Sequence, residues 1–300
     1  MSKTSQRTLL LTIDAFGTLF HPRAPVPDQY ALTAHSFGLA PSLVTPESLQ
    51  PAFKAVFKSN AKQYPNYGRE LALRGQYGGP RQWWEEVIRG SFARVLNRDG
   101  GDLPDGLVQR LLDRFASREG YALYEDAGEL FGRMKEVKRG IAMQQQRFGP
   151  FERVLVGVLS NSDDRVPSIL KSLGVTVGDV RADQSMSSTR LAGFEGRTNS
   201  PGPNDVHDID LVITSYEAGE EKPSPGIFEA VKRQASRLTD GGGEWVCAHV
   251  GDDFAKDYQG ALGAGWEGYY LPRGDDAGNQ QDAKRIRSLT ELFDLLQGRT

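Results

Sequence analysis

A single cysteine, Cys247, stands among 300 residues, so no internal disulfide can form and nothing points to an oxidising compartment. It lies in the apolar stretch WVCAHV, where a buried, inert thiol is the expectation rather than a nucleophile. No apolar run approaches the roughly 20 residues that a membrane helix needs. A dominant charge is missing too, since 36 Lys and Arg against 39 Asp and Glu leave −3. That balance gives no global attraction to nucleic acid or to an anionic membrane, so neither is expected as a partner. The opening MSKTSQR has no apolar stretch of the signal-peptide kind, and a protein of the cytoplasm or nucleus is expected. No internal repeat is visible. GALGAG, residues 260–265, is not a dinucleotide fingerprint, because its glycines are misplaced and it follows no strand directly.

What the chain does have is a set of short apolar runs that end in polar residues: TLLLTIDAF, RVLVGVLSN, DIDLVITS and EWVCAHVGD. Each is continuous in apolar character rather than alternating, the pattern of parallel strands covered on both faces. Helical patterns alternate with them, in EDAGELFGRMKEV, DRVPSILKSLG, SPGIFEAVKRQASRL, DYQGALGAG and SLTELFDLLQ. Strands alternating with helices predict an α/β fold, a doubly wound, Rossmann-like parallel sheet. Ligands bind such sheets beyond the carboxyl ends of the strands. Asp14, Ser160, Ser215 and Asp252 all fall near those ends.

Residues 21–120 contain almost no strand-like run. DQYALTAHSFG, ESLQPAFKAVFKSNAKQY, PRQWWEEVIRGSFARVL and GLVQRLLDRFASR read as helices joined by Pro- or Gly-rich turns. The expectation is a helical lobe, residues 21–120, inserted into a core formed by residues 1–20 and 121–300. Phe53, Phe57, Trp83, Trp84 and Phe92 recur at helical spacings and are expected to be lobe core. Two stretches look added to this plan, KRGIAMQQQRFGPFER at 138–153 and residues 176–208. The second is rich in Gly, Ser, Asn, Asp and Pro and is expected to be a flexible surface insertion.

Asp14 interrupts an apolar run, and folding alone does not place an unpaired carboxylate in a core strand. A turn-capping Asp is the alternative for this stretch taken by itself. Three further motifs stand at strand ends: DAFGT at 14–18 is followed by LSNSD at 159–163, KPSPGIF at 222–228 and VGDDFAKD at 250–257. With the inserted helical lobe, the ordered set resembles the haloacid dehalogenase superfamily over essentially the whole chain. YPNYG, RQWW and HVGDDFAKDYQGA resemble, more narrowly, its eukaryotic haloacid dehalogenase-like hydrolase domain subgroup.

The resemblance implies a Rossmann-like core with a helical cap, and assigns roles. Asp14 would be the nucleophile, a carboxylate that needs no base to activate it. Ser160 and Lys222 would hold the developing negative charge, and Asn161, Gly17 and Thr18 would meet the substrate. Mg²⁺ would be ligated by Asp14, the backbone carbonyl of Phe16 and Asp252, with Asp257 in support, hard oxygen donors that suit this cation. Asp253 is expected to cap the following helix and His249 to be a satisfied core histidine. His21 lies near the entry to the lobe, within reach of a substrate.

Position 16 departs from the pattern. Phosphatases of the superfamily usually carry a second Asp there, which protonates the leaving group; here it is Phe16. General acid catalysis is worth about 10²- to 10⁴-fold, so ordinary monoester hydrolysis should be impaired. A departing halide needs no proton, and DAFGTLF resembles the first motif of 2-haloacid dehalogenases. Those enzymes carry an arginine early in the cap and use no metal, whereas this chain has no arginine between Arg23 and Arg69 and keeps Asp252 and Asp257. The expectation is therefore a Mg²⁺-dependent hydrolase of a small phosphorylated metabolite, weak in turnover, as a monomer or homodimer. A non-catalytic phosphate and Mg²⁺ binder comes second and a dehalogenase third.

Overall fold

The computed structural model describes residues 6–97, 102–182, 191–194, 206–239, 243–274 and 282–298. Its strands are β1 (Arg7–Ile13), β2 (Phe20–Pro22), β3 (Tyr121–Leu123), β4 (Arg153–Ser160), β5 (Val177–Val180), β6 (Ile209–Thr214), β7 (Glu244–Gly251) and β8 (Glu267–Tyr270). Six of them form one parallel sheet in the order β5-β6-β4-β1-β7-β8. The apolar runs are continuous because alternate residues serve opposite faces. Leu9, Leu11 and Ile13 pack with Val154, Val156 and Val158 on one side, while Leu10 packs with Leu155, Leu159, Leu211 and Ile213 on the other. Both faces are therefore core. The α/β, Rossmann-like expectation holds.

Register fixes where the site lies. Ile13 at the end of β1 sits level with Val158 of β4 and Val250 of β7, and Ser160 is level with Thr214 of β6. Residues just beyond these positions emerge together at the carboxyl edge. Strand order reverses around β1, with β4 and β6 on one side and β7 and β8 on the other, which is where doubly wound sheets open a crevice.

Between β2 and β3 the chain forms α1 (Val26–Ser36), α2 (Pro46–Gln63), α3 (Pro65–Leu73), α4 (Gly79–Leu96) and α5 (Leu107–Arg114). The strands that carry the chain out and back pair with each other, antiparallel, Phe20 with Leu123 and Pro22 with Tyr121. Helix α2 starts on a reciprocal cap, where Ser48 N donates to Thr45 Oγ1 at 3.2 Å and Thr45 N to Ser48 Oγ at 3.1 Å. After β3 come α6 (Glu125–Ala142), α7 (Val166–Ser172), α8 (Ser215–Ala218), α9 (Pro225–Ser236), a π-helical turn (Phe254–Gln259), α10 (Gly260–Gly263) and α11 (Glu291–Gln297). No helix among the described residues is long and apolar enough to cross a membrane.

Several elements differ from the sequence expectation. The segment 176–208 begins as β5, an edge strand, not a surface loop; VGDV is too short and too polar to stand out as a run. Within it Leu191–Phe194 pack at the core, where Phe194 N donates to Asp164 Oδ2 at 2.7 Å and the Tyr216 hydroxyl donates to Ala192 O. The expected flexibility of residues 183–190 and 195–205 lies outside the described residues. Residues 138–153 are likewise built in, since Phe148 and Phe151 are buried and Phe148 meets Phe293 edge-on at 4.9 Å. The DYQGALGAG helix starts as the π-helical turn, and EGYY forms the unexpected strand β8.

Of the five lobe aromatics, Trp83 and Phe92 are fully buried, whereas Phe57 is 38 % exposed. Trp83 packs with Val56, Tyr77 and Val87 in a small core of the lobe's own. Replacing Trp83 by Ala should therefore cost about 3–5 kcal/mol. A denaturant midpoint that falls accordingly would confirm its place in the lobe core, and an unchanged midpoint would refute it.

Candidate active site

The turn after β1 starts from a strand that has not quite ended, because Asp14 N still donates to Val250 O of β7 at 2.9 Å. Three residues later Gly17 adopts φ +83°, and a Cβ there would lie 2.5 Å from Asp252 Oδ2. Glycine is required on both counts, backbone conformation and close approach. Thr18 completes the contact: its hydroxyl donates to Asp252 Oδ1 at 3.0 Å and accepts from Asp252 N at 3.1 Å. The turns after β1 and β7 are thus locked together around one carboxylate.

Lys222 occupies the centre. Its ammonium, 2 % exposed, donates to Asp14 Oδ1 at 2.6 Å, Asp257 Oδ1 at 2.6 Å and Leu159 O at 2.8 Å, so all three protons are committed. Asn161 grips the lysine's backbone from both sides, Nδ2 donating to Lys222 O at 2.8 Å and Oδ1 accepting from Lys222 N at 2.7 Å. Asp257 is equally engaged: Oδ2 accepts from Asp253 N at 2.9 Å, and Oδ1 also faces His249 Nε2 at 3.1 Å. Asp253 caps the π-helical turn by accepting from Ala255 N and Lys256 N, both at 3.0 Å.

The carboxylate oxygens of Asp14, Asp252 and Asp257 lie within 4.8 Å of one another. Burial pushes the Asp14 carboxyl up to about 7 against the pull of Lys222, with Asp257 and Asp252 adding to the rise. Burial likewise raises Asp252. At Asp257 burial is outweighed by Lys222 and His249, and its carboxyl is held well below the usual range. Burial would lower Lys222, but Asp14 and Asp257 hold it above the ordinary lysine value. His249 is pushed down by burial, which keeps the ring neutral.

When all three carboxylates are ionised, they exceed the one ammonium by two negative charges, the amount a divalent cation would balance. The donor set is hard oxygen, which suits Mg²⁺. Asp14 and Asp252 each keep Oδ2 free of hydrogen bonds among the described residues, whereas both oxygens of Asp257 are already committed. Asp14 and Asp252 are thus the carboxylates best able to ligate.

Several sequence assignments change. Thr18 is fully buried and its hydroxyl serves Asp252, Gly17 N donates to Phe20 O at 2.9 Å, and the Asn161 side chain serves Lys222. In the structure these groups are engaged with the cluster itself and the turn beside it. Ser160 is buried beside them, and its hydroxyl has no hydrogen-bond partner among the described residues. The Phe16 ring packs edge-on against Phe20 at 4.7 Å and Tyr121 at 5.5 Å. His21 is not brought to the cluster; its contacts are the Tyr124 ring and Pro22 O.

A second buried network joins the lobe to the loop after β4. Arg165 makes a bidentate pair with Asp163, Nε and Nη2 at 2.8 Å each, and its Nη1 donates to Phe115 O at 3.2 Å. Trp84 lies under the guanidinium at 4.4 Å and donates Nε1 to Asp163 Oδ2 at 2.8 Å, so it belongs to this seam as much as to the lobe core. Alongside, Asn66 and Ser215 exchange two hydrogen bonds, and Arg69 Nε donates to Tyr216 O at 2.8 Å. Asn66 and Tyr67 both have positive φ, 46° and 59°, a strained backbone for residues other than glycine. The sequence signal was present in SNSDDR, opposite charges two apart beyond a strand end.

No family model matches the chain. It is 27 % identical over 263 residues to the haloacid dehalogenase-like hydrolase domain-containing protein 3 of Mus musculus, covering 87 % of this chain and 81 % of that one. An uncharacterized hydrolase of Schizosaccharomyces pombe is 26 % identical over 273 residues, covering 90 % and 92 %. Over most of its length the chain is thus similar to haloacid dehalogenase-like hydrolases. Within the superfamily its curated similarity is to the haloacid dehalogenase-like hydrolase domain-containing subgroup. A solved 2-haloacid dehalogenase of Pseudomonas syringae has a TM-score of 0.49 at 15 % identity, covering 96 % of this chain and 98 % of that one.

The seam of this haloacid dehalogenase-like chain makes a stability prediction. Arg165→Met leaves Asp163 charged and buried, at a cost of about 3–5 kcal/mol. Adding Asp163→Leu should restore a large part of that loss, read from denaturant midpoints. A double variant no more stable than the single one would contradict the pairing.

Proposed function

We propose that the protein is a phosphatase-type hydrolase of a small phosphorylated metabolite, working through an aspartyl intermediate on Asp14 with Mg²⁺ held by Asp14, the Phe16 carbonyl and Asp252. The observation that carries this reading is the buried cluster in which one ammonium faces three carboxylates. A free Asp14 oxygen attacks phosphorus, and the bond to the leaving oxygen breaks with its electron pair going to the leaving group. Water then attacks the aspartyl phosphate; Asp14 leaves as a carboxylate and both protons of that water end on the phosphate, which departs as H₂PO₄⁻.

Lys222 keeps Asp14 in place and compensates charge. With every proton committed it does not act as the acid. Ser160, whose hydroxyl has no hydrogen-bond partner among the described residues, and the amides around Asn161 hold the transferring oxygens. When bound, Mg²⁺ supplies positive charge that favours ionised Asp14 and offsets the phosphoryl oxygens. Residues 21–120 act as a cap over a core of residues 1–20 and 121–300, and the hydrogen bonds of Asn66, Arg69 and Trp84 to core residues are those of a closed cap.

One observation favours a second reading, a phosphate and Mg²⁺ binder with little turnover: the place of the acid is filled by the Phe16 ring, packed against Phe20 and Tyr121. Phosphate release from p-nitrophenyl phosphate and a panel of metabolite phosphates, with and without Mg²⁺, separates the two. The expected result is Mg²⁺-dependent release that Asp14→Asn abolishes and that Phe16→Asp raises by up to about 10²-fold or more on poor leaving groups. A silent wild type awakened by Phe16→Asp would establish the binder. Chloride release from 2-chloropropionate, insensitive to Mg²⁺, would overturn both in favour of a dehalogenase.

A further inference from the structure

We propose that Thr12 and His249 are positioning residues for Asp257, a hydrogen-bonded chain inside the sheet that orients this carboxylate toward Lys222 and through it Asp14. The proposal rests on reading that cluster as the active site. His249 of β7 is registered directly against Thr12 of β1, and both are fully buried. His249 Nδ1 lies 2.8 Å from Thr12 Oγ1 and Nε2 lies 3.1 Å from Asp257 Oδ1, the same oxygen that accepts from Lys222 at 2.6 Å. Asp257 can only accept, so Nε2 carries the proton and Nδ1 faces the threonine hydroxyl. Phe228 meets the imidazole edge-on at 5.5 Å and 85°, which fixes the ring plane.

Packing does not explain a histidine here. The face of the sheet that His249 shares with Cys247 and Leu10 is apolar there and packs on Phe228, and a buried imidazole is tolerated only while its nitrogens are bonded. The consequence falls on Asp257. Its Oδ2 is held by Asp253 N, while among the described residues Oδ1 is held only by groups that themselves belong to the site, Lys222 and His249. A Cβ on Gly251 would lie 2.1 Å from Asp257 Oδ2, so the carboxylate is seated against the backbone on its other side. Losing the Nε2 donor leaves Lys222 as the only restraint on Oδ1 and lets the carboxylate turn. The ammonium and Asp14 turn with it.

Two amide side chains separate the two ring nitrogens. His249→Gln returns an N–H near the place of Nε2, His249→Asn reaches only the place of Nδ1, and His249→Phe returns neither. Mg²⁺ affinity by calorimetry, kcat and KM on p-nitrophenyl phosphate, and Tm are measured for each, together with Thr12→Val. Outer partners of metal ligands typically contribute about 10- to 100-fold in affinity or activity. Losses in that range are expected for His249→Phe and His249→Asn, in Mg²⁺ affinity or kcat with KM little changed, and His249→Gln should recover most of the loss. Equal losses in Gln and Asn variants, or losses that only follow Tm, would overturn the positioning role while leaving the function standing. A wild type that neither binds Mg²⁺ nor turns over any phosphate overturns the functional reading and the positioning role with it.

Discussion

A lysine ammonium buried to 2 % exposure is the constraint around which this fold is arranged. An isolated charge at that depth would shed its proton, and Lys222 keeps its own because two carboxylates and a carbonyl accept every N–H it has. The three acceptors come from three different segments, the end of β1, the end of β4 and the π-helical turn after β7. They converge only because β1 lies between β4 and β7 with its last residue level with both. Register is therefore a chemical requirement here as well as a packing one, and a slip by one residue would strand the ammonium.

Asp14 and Asp252 were legible in the sequence because each interrupts or ends an apolar run, and a charge at the tip of a buried strand has little reason to be there for folding alone. Lys222 and Asp257 lie in polar segments and were reached only through the motifs of the resemblance, yet all four meet in one cluster. Elements whose stability comes from neighbours were not legible. β5 and β8 are four residues each, contain glycine, and become strands by pairing with β6 and β7. Roles were harder to read than places: Thr18, Gly17 and Asn161 stand where expected, but their partners are Asp252, Phe20 and Lys222, and a hydrogen bond across more than 200 residues, such as that of Thr18 to Asp252, leaves no local pattern. Trp84 shows the same limit. Helical spacing marks it as lobe core, while its indole N–H is aimed at Asp163, 79 residues away.

The loop after β4 couples the two halves of the molecule in a few residues. Ser160 and Asn161 face the cluster, and Asp163, Asp164 and Arg165 bind α4, the Leu191–Phe194 segment and the end of α5 respectively. Arg165 stands four residues from Asn161, whose side chain clamps the Lys222 backbone. The Asp163 to Arg165 pair is a rigid part of this loop, because a bidentate, fully buried ion pair has a single geometry.

Phe16 brings these threads together. Its ring stands between the nucleophile's turn and the ribbon on which the chain leaves for the lobe and returns, in edge contact with Phe20 of β2 and Tyr121 of β3. An acid at this position would face the same rings, and desolvation there would raise its pKa toward the protonated state that a general acid requires. The aromatic side chain instead adds edge-to-face contacts, worth about 0.5–1.5 kcal/mol each, to the crossing between lobe and core. Under the proposed function the ammonium, with its three protons hydrogen-bonded, does not supply the acid, and Asp14 and Asp252 would hold the cation. On that reading a leaving group displaced from phosphorus by Asp14 must then leave as an anion and take its proton from water. That requirement selects substrates by the acidity of the alcohol or acid released, independently of the shape of the cap.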